Sequence, residues 1–183
     1  YNRLTALDLS RNTKLTELNA SNNSLEGIDL GGCAALRAID CSRNRLQTLT
    51  VSGSKSLEAL NCAGNKLVSL NVAQNKELKT LGCGDNSLAA LNVSNCRLLT
   101  EFRCANNQLT AIDLAKNTEL VKLDCGGNAI KALDLTKASK LAELSCGSNA
   151  LTHLFLGNCT ALTKLDCRGN SLTGLDLSAC SGI

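Results

Sequence analysis

The sequence predicts a solenoid: short parallel β-strands joined by turns or 3₁₀ segments, with almost no α-helix. Three observations predict it. From Leu4 the chain divides into 21-residue units with no insertion or deletion, starting at Leu4, Leu25, Leu46, Leu67, Leu88, Leu109, Ile130, Leu151 and Leu172. Within each unit, segments such as Leu123-Asp124-Cys125 alternate apolar and polar residues, the period of an extended strand with one buried face. The 183 residues also contain no Pro, where average usage would give roughly nine. A Pro would remove a ladder donor from any strand stacked on its neighbour.

The units share the pattern L-x-x-L-D-L-x-x-N-x-x-L-x-x-L-x-C-x-x-N-x. The twelfth position is Leu in every complete unit, from Leu15 to Leu162, and the twentieth is Asn in every one, from Asn23 to Asn170. Each unit exposes an apolar edge that it cannot bury alone, so stability requires neighbours stacked on it. Stacking at about 4.8 Å per coil gives a rod or shallow arc about 40 Å long. Twenty-one residues leave little room for a helix between strands, and the second half is extended in pattern too. The organisation predicted is one solenoid over 1–183: a partial unit at 1–3, eight units over 4–171 and a partial ninth over 172–183.

The two ladders of polar and sulfur-bearing residues have structural explanations. The chain must turn near each twentieth-position Asn, leaving inward backbone groups that no strand reaches, and an Asn side chain carries two donors and an acceptor to satisfy them. Of the eleven Cys, seven occupy the seventeenth position, from Cys41 to Cys167, and four the ninth: Cys33, Cys96, Cys159 and Cys180. No C-x-x-C pair provides metal-ligand spacing. The count is odd, and side chains of adjacent parallel strands point the same way, which disfavours a disulfide framework. Cys is therefore read as a small buried apolar residue filling a narrow interior. Cys159 and Cys180, in adjacent units, are the pair most open to an incidental disulfide.

Composition narrows the function. A formal charge of +3 arises from 19 basic and 16 acidic residues without a run of either sign, which argues against nucleic acid and against a polybasic membrane anchor. No apolar stretch is long enough to span a bilayer. The chain begins at Tyr1 without a signal peptide, the expectation being a processed chain, a fragment or an incomplete sequence. The only histidine, His153, is accompanied by no nucleophile and reads as a solvated surface residue. Asp8, Asp29, Asp113, Asp134 and Asp176 form a row interrupted by Thr50 and Phe155. They match no calcium loop and read as solvated turn carboxylates. Gly126-Gly127 and similar pairs fit neither a P-loop nor a dinucleotide fingerprint. No catalytic constellation and no cofactor are predicted.

The segment Leu162-Thr163-Lys164-Leu165-Asp166-Cys167-Arg168-Gly169-Asn170-Ser171-Leu172 matches L-x-x-L-x-L-x-x-N/C-x-L, and the chain resembles the leucine-rich-repeat family over essentially its whole length. It is similar in particular to the 21-residue bacterial subclass with a cysteine in the signature. In that subclass the variable half imitates the signature, as Leu109-Thr110-Ala111-Ile112-Asp113-Leu114-Ala115-Lys116-Asn117 does here. The resemblance implies a right-handed solenoid, a concave strand face that recognises proteins, and an exported or cell-surface bacterial parent.

By alternation the outward positions are the thirteenth, fourteenth, sixteenth and eighteenth. They supply Arg37, Asp40, Glu58, Lys79, Glu101, Arg103, Lys122, Asp124, Glu143, Lys164, Asp166 and Arg168 as candidate binding residues. That face is polar, mixed in sign and free of aromatic anchors; Phe102 falls at an inward position. Neither end carries an evident cap, so the alternative reading is a stalk or filament in which copies stack head-to-tail.

Overall fold

In the computed structural model, which describes residues 2–183, every element is a three-residue β-strand, and no helix is found among the described residues. Tyr1, counted in the leading partial unit, lies outside them. Eight strands form one parallel sheet in the order β1-β2-β3-β4-β5-β6-β8-β10: β1 (Glu17–Asn19), β2 (Ala38–Asp40), β3 (Ala59–Asn61), β4 (Thr80–Gly82), β5 (Glu101–Arg103), β6 (Lys122–Asp124), β8 (Glu143–Ser145) and β10 (Lys164–Asp166). Every pairing is between residues one repeat apart. Leu18 is opposite Ile39, Leu60 opposite Leu81, and Leu123 opposite Leu144. Such a register follows from constant unit length: a single inserted residue would turn every inward side chain of that strand outward.

A second sheet forms from the first half of the units, but only where β7 (Ala132–Asp134) pairs in parallel with β9 (His153–Phe155). Elsewhere that half of the coil makes only isolated bridges, Asp8 to Asp29 and Thr50 to Asn71.

The interior is a set of columns running along the solenoid. Leu25, Leu46, Leu67, Leu88, Leu109 and Leu151 form one; Leu36, Leu57, Leu78, Leu99, Leu120 and Leu141 form another, all fully buried. Ile39, Leu60, Leu81, Phe102, Leu123 and Leu144 project inward from the main sheet. Beside them run Cys41, Cys62, Cys83, Cys104, Cys125 and Cys146, also fully buried. All eleven thiols are free, so the Cys159–Cys180 disulfide held open above is not formed. Burial pushes the thiols of Cys41, Cys83 and Cys146 up to about 12, leaving them protonated and unreactive.

The ninth position corrects the reading of Cys as filler alone. Cys33 Sγ donates to the carbonyl of Leu9 at 3.5 Å, and Cys96 Sγ to that of Val72 at 3.7 Å. Asn75 Nδ2 makes the equivalent bond to Val51 at 2.9 Å, while Ser54 Oγ reaches the Cys33 carbonyl at 3.1 Å. Cys, Asn and Ser share this position because each is a small donor able to reach a carbonyl of the preceding coil. Ala138 is the exception, carrying no donor there.

The turn after each main-sheet strand has a fixed handedness. Asn22, Arg43, Gly64, Asp85, Asn106, Gly127, Ser148 and Gly169, the nineteenth residue of every complete unit, all have positive φ between 52° and 66°. The left-handed step brings the following Asn side chain back under the strand, where it serves as the internal hydrogen-bonding group anticipated from the sequence.

Candidate functional site

The open face of the eight-stranded sheet follows from the alternation of three-residue strands. In β2, β3, β4, β6 and β8 the central side chain is buried and both flanking residues are partly exposed. None of the twelve predicted binding residues is buried: Arg37, Lys79, Arg103, Lys164 and Arg168 are exposed, and Asp40, Glu58, Glu101, Lys122, Asp124, Glu143 and Asp166 are partly so.

Most of these charges are engaged with one another. Glu58 stands between the coils before and after it, bonded to Arg37 at 2.8 Å and to Lys79 at 2.6 Å. Glu143 is bridged in the same way by Lys122 at 3.2 Å and Lys164 at 3.3 Å. Arg103 pairs with Glu101, and Arg168 with Asp166 at 3.2 Å. Like-numbered positions sit side by side one coil apart, so alternating signs at one position become an ion-pair ladder across the strands. Lys79 holds the Glu58 carboxyl below its ordinary value by hydrogen bonding, and Lys122 does so for Glu143. Asp40 and Asp124 make no such pair among the described residues. Asp40 instead accepts from Ser42 N at 3.0 Å and Ser42 Oγ at 2.6 Å, and Asp124 from Gly126 N at 3.3 Å.

A choice of charged residues from the sequence overlooked the residues with almost no side chain. Ala38, Ala59, Ala63, Gly82, Gly84 and Ala105 occupy outward positions of consecutive coils and leave a groove of about 850 Å³ across β1 to β6. The signal was present in the sequence as a column of Ala and Gly at the fourteenth, sixteenth and eighteenth positions. Farther along, Arg103, Lys122, Asp124, Glu143, Lys164 and Asp166 surround a smaller hollow of about 410 Å³.

On the second sheet, His153 and Phe155 stack with ring centroids 5.7 Å apart, and Phe155 is 49% exposed. The row of Asp residues beside them acts locally. Asp29, Asp113 and Asp134 each accept from the backbone N–H two residues on, at 2.8 to 2.9 Å, which pins the turn. No cluster of potential metal ligands occurs among the described residues, and no helix is long and apolar enough to cross a membrane.

Stacked parallel coils of constant length, an internal Asn ladder and a Leu-lined core define the chain as a leucine-rich-repeat protein. The Leucine Rich Repeat sequence profile matches residues 14–36 and 161–183. The chain resembles internalin J (InlJ) of Listeria monocytogenes, whose functional domain includes a cysteine ladder: the TM-score is 0.97 at 38% identity, over 100% of this chain and 41% of that one. YopM, a leucine-rich effector protein from Yersinia pestis, is similar at a TM-score of 0.80 and 27% identity, over 91% of this chain and 47% of that one. The leucine-rich-repeat protein LIC12759 of Leptospira interrogans shares the fold, with a TM-score of 0.88 at 22% identity, over 97% of this chain and 50% of the other. The chain thus spans half or less of each of these proteins. No curated protein matches it by sequence.

Proposed function

We propose that this chain is a non-catalytic scaffold that binds a protein partner through the open face of its eight-stranded sheet, within an exported bacterial protein that works at the cell surface. The observation that carries this reading is the division of labour in each coil. Backbone polar groups and aliphatic side chains are consumed inward, while the outward positions of the main sheet vary from coil to coil without disturbing the stack. The likeness to InlJ and YopM supports the same assignment, and the likeness to InlJ supports an extracellular location.

The twelve charged residues set the register and exclusion pattern of that face. Ten are ion-paired with a neighbour, so a partner must exchange ion pairs, which favours specificity over raw affinity. With no aromatic side chain on this face, contact rests on area and charge pattern instead of a few large anchors.

Selection of twelve-residue peptides displayed on phage against the purified chain tests the location. Binders should change in affinity at least tenfold, in either direction, against the double variant Arg103→Glu/Lys122→Glu and bind Phe155→Ser, on the second sheet, unchanged. The reverse pattern moves recognition to the second sheet. The competing reading is head-to-tail stacking through β1 and β10, the edge strands of the eight-stranded sheet. Sedimentation velocity separates the two: the binding scaffold runs as a monomer, and large concentration-dependent particles would establish the filament instead.

A further inference from the structure

The two halves of the open face differ in charge. The groove over β1 to β6 is lined by Glu17, Asp40, Asp85, Glu101 and Asp124, and by a single cation, Arg103, which is already bound to Glu101. Five carboxylates against one guanidinium leave four net negative charges on a chain whose formal charge is +3, so the groove opposes the sign of the rest of the molecule. Glu17, Asp40, Asp85 and Asp124 have no cation within salt-bridge distance among the described residues, although Lys and Arg pair with acids elsewhere on the same sheet. Arg43 borders a smaller hollow that shares Asp40 and Asp85 with the groove, and it pairs with neither. Between the carboxylates the floor is mainly Ala and Gly, with Asn61 and Thr80 among them, so little side chain separates an incoming chain from the sheet.

From the charge and shape of this groove we infer that it receives an extended, Lys- or Arg-bearing segment of the partner protein, its basic side chains meeting Asp40, Asp85 and Asp124 and its apolar side chains resting on Ala59, Ala63 and Ala105. The inference rests on the open-face reading and adds the chemistry of the ligand. The volume, about 850 Å³, lies in the range of sites that enclose a compact ligand. The five steps from β1 to β6, at about 4.8 Å each, give a length that roughly seven extended residues cover. The methyl-lined floor favours a polypeptide over a bare polyamine, which would gain charge contacts and nothing from the Ala column. Focused negative potential over such a cleft also accelerates the approach of a basic segment, an effect that salt reverses.

The test uses the same phage selection, read for composition, followed by fluorescence anisotropy with a synthetic peptide from the selected pool. The variant is Asp40→Asn/Asp85→Asn/Asp124→Asn. Asn keeps the Oδ1 acceptor that Ser42 N, Asn106 Nδ2 and Gly126 N use, Asn19 and Asn61 already occupy sites equivalent to Asp40 and Asp124, and Asn22 and Asn106 occupy sites equivalent to Asp85, so the stack is preserved; thermal unfolding within a few degrees of the parent verifies this. Selected peptides should be enriched in Lys and Arg. Their affinity should fall at least tenfold for the triple variant, be undiminished by Lys122→Glu/Lys164→Glu, and drop at least tenfold between 50 and 500 mM salt. Acidic or neutral peptides lost only with Lys122→Glu/Lys164→Glu would overturn the inference and leave the open-face reading intact. Peptides insensitive to both sets, or no binders at all, would overturn both. Spermine binding as tightly as the peptide would overturn the polypeptide assignment.

Discussion

The side-chain amide of Asn86 reaches into the preceding coil to donate to the carbonyl of Cys62, 24 residues earlier, at 3.1 Å. The same nitrogen serves Cys83 O at 3.1 Å and Gly84 O at 3.0 Å, while Asn86 Oδ1 accepts from Leu67 N at 3.0 Å. Asn44, Asn65, Asn107, Asn128, Asn149 and Asn170 repeat the arrangement. One side chain thus closes the turn of its own coil and fastens it to the one before.

Replacing Asn86 by Leu should destabilise the protein by roughly 3–5 kcal/mol, because several inward backbone groups lose their partners at about 1–3 kcal/mol each. Asn86→Asp should be at least as damaging: it keeps an acceptor for Leu67 N but loses both donors and introduces a desolvated charge. Urea unfolding followed by circular dichroism measures both, and a loss below 1 kcal/mol for either would remove the ladder from its structural role.

The left-handed row makes a prediction of opposite sign. Ser148 holds φ at 54°, a region costing a residue with a Cβ about 1–2 kcal/mol. Ser148→Gly should therefore raise stability by up to about 1 kcal/mol, after the extra entropy of the unfolded Gly chain is deducted. Gly157 has φ of 52°, and a Cβ there would sit 2.8 Å from Thr136 Cα, so Gly157→Ala should destabilise. Paired urea curves test the contrast.

Much of this architecture is legible in the sequence, and what is not has a physical reason. Period and register follow from constant length, since Leu60 and Leu81 can only be opposite each other if 21 residues make one coil. The Asn ladder is legible because one residue type alone supplies two donors and an acceptor at that size. The left-handed row is hidden because its residues range from Arg43 to Gly169 and share a backbone angle, although Gly, Asn or Asp at six of eight positions is a signal. The groove is missed for a related reason: binding residues were sought among charged side chains, and the space is made by absent ones, at Ala59 and Gly82. Pairing of Glu58 with both Arg37 and Lys79 needs the lateral register as well as the alternation.

The ninth position offers a gain. Ala138 is the one described residue at that position that carries no side-chain donor, while Ser54 in the same role bonds the Cys33 carbonyl. Ala138→Ser should place a hydroxyl against the Asn117 carbonyl and stabilise by about 0.5–1 kcal/mol. A thermal shift of zero or below would mean that the hydroxyl cannot reach.

Acid should loosen the open face. The Glu58 carboxyl is held below its ordinary value of 4.5, first by its hydrogen bond to Lys79, and Glu143 likewise by Lys122. A depressed folded-state value means that the ionised form is favoured by folding. The stabilisation is complete above 4.5 and disappears as pH falls through the lower folded value. Carbon-13 titration of the Glu side chains should place both midpoints under 4.5, and Lys79→Ala should move that of Glu58 upward; an unmoved midpoint would dissolve the ladder.

The central claim is that coils stack into a spine that buries the seventeenth-position thiols in one column beside the aliphatic ones. Native-state alkylation at pH 8, resolved by peptide mass, tests it most directly. Cys167, partly exposed, should label first, and Cys62, Cys83 and Cys104, fully buried, should label only at the rate of global unfolding. Modification of Cys83 in native buffer at the rate of a short free peptide would contradict the stacked-coil account.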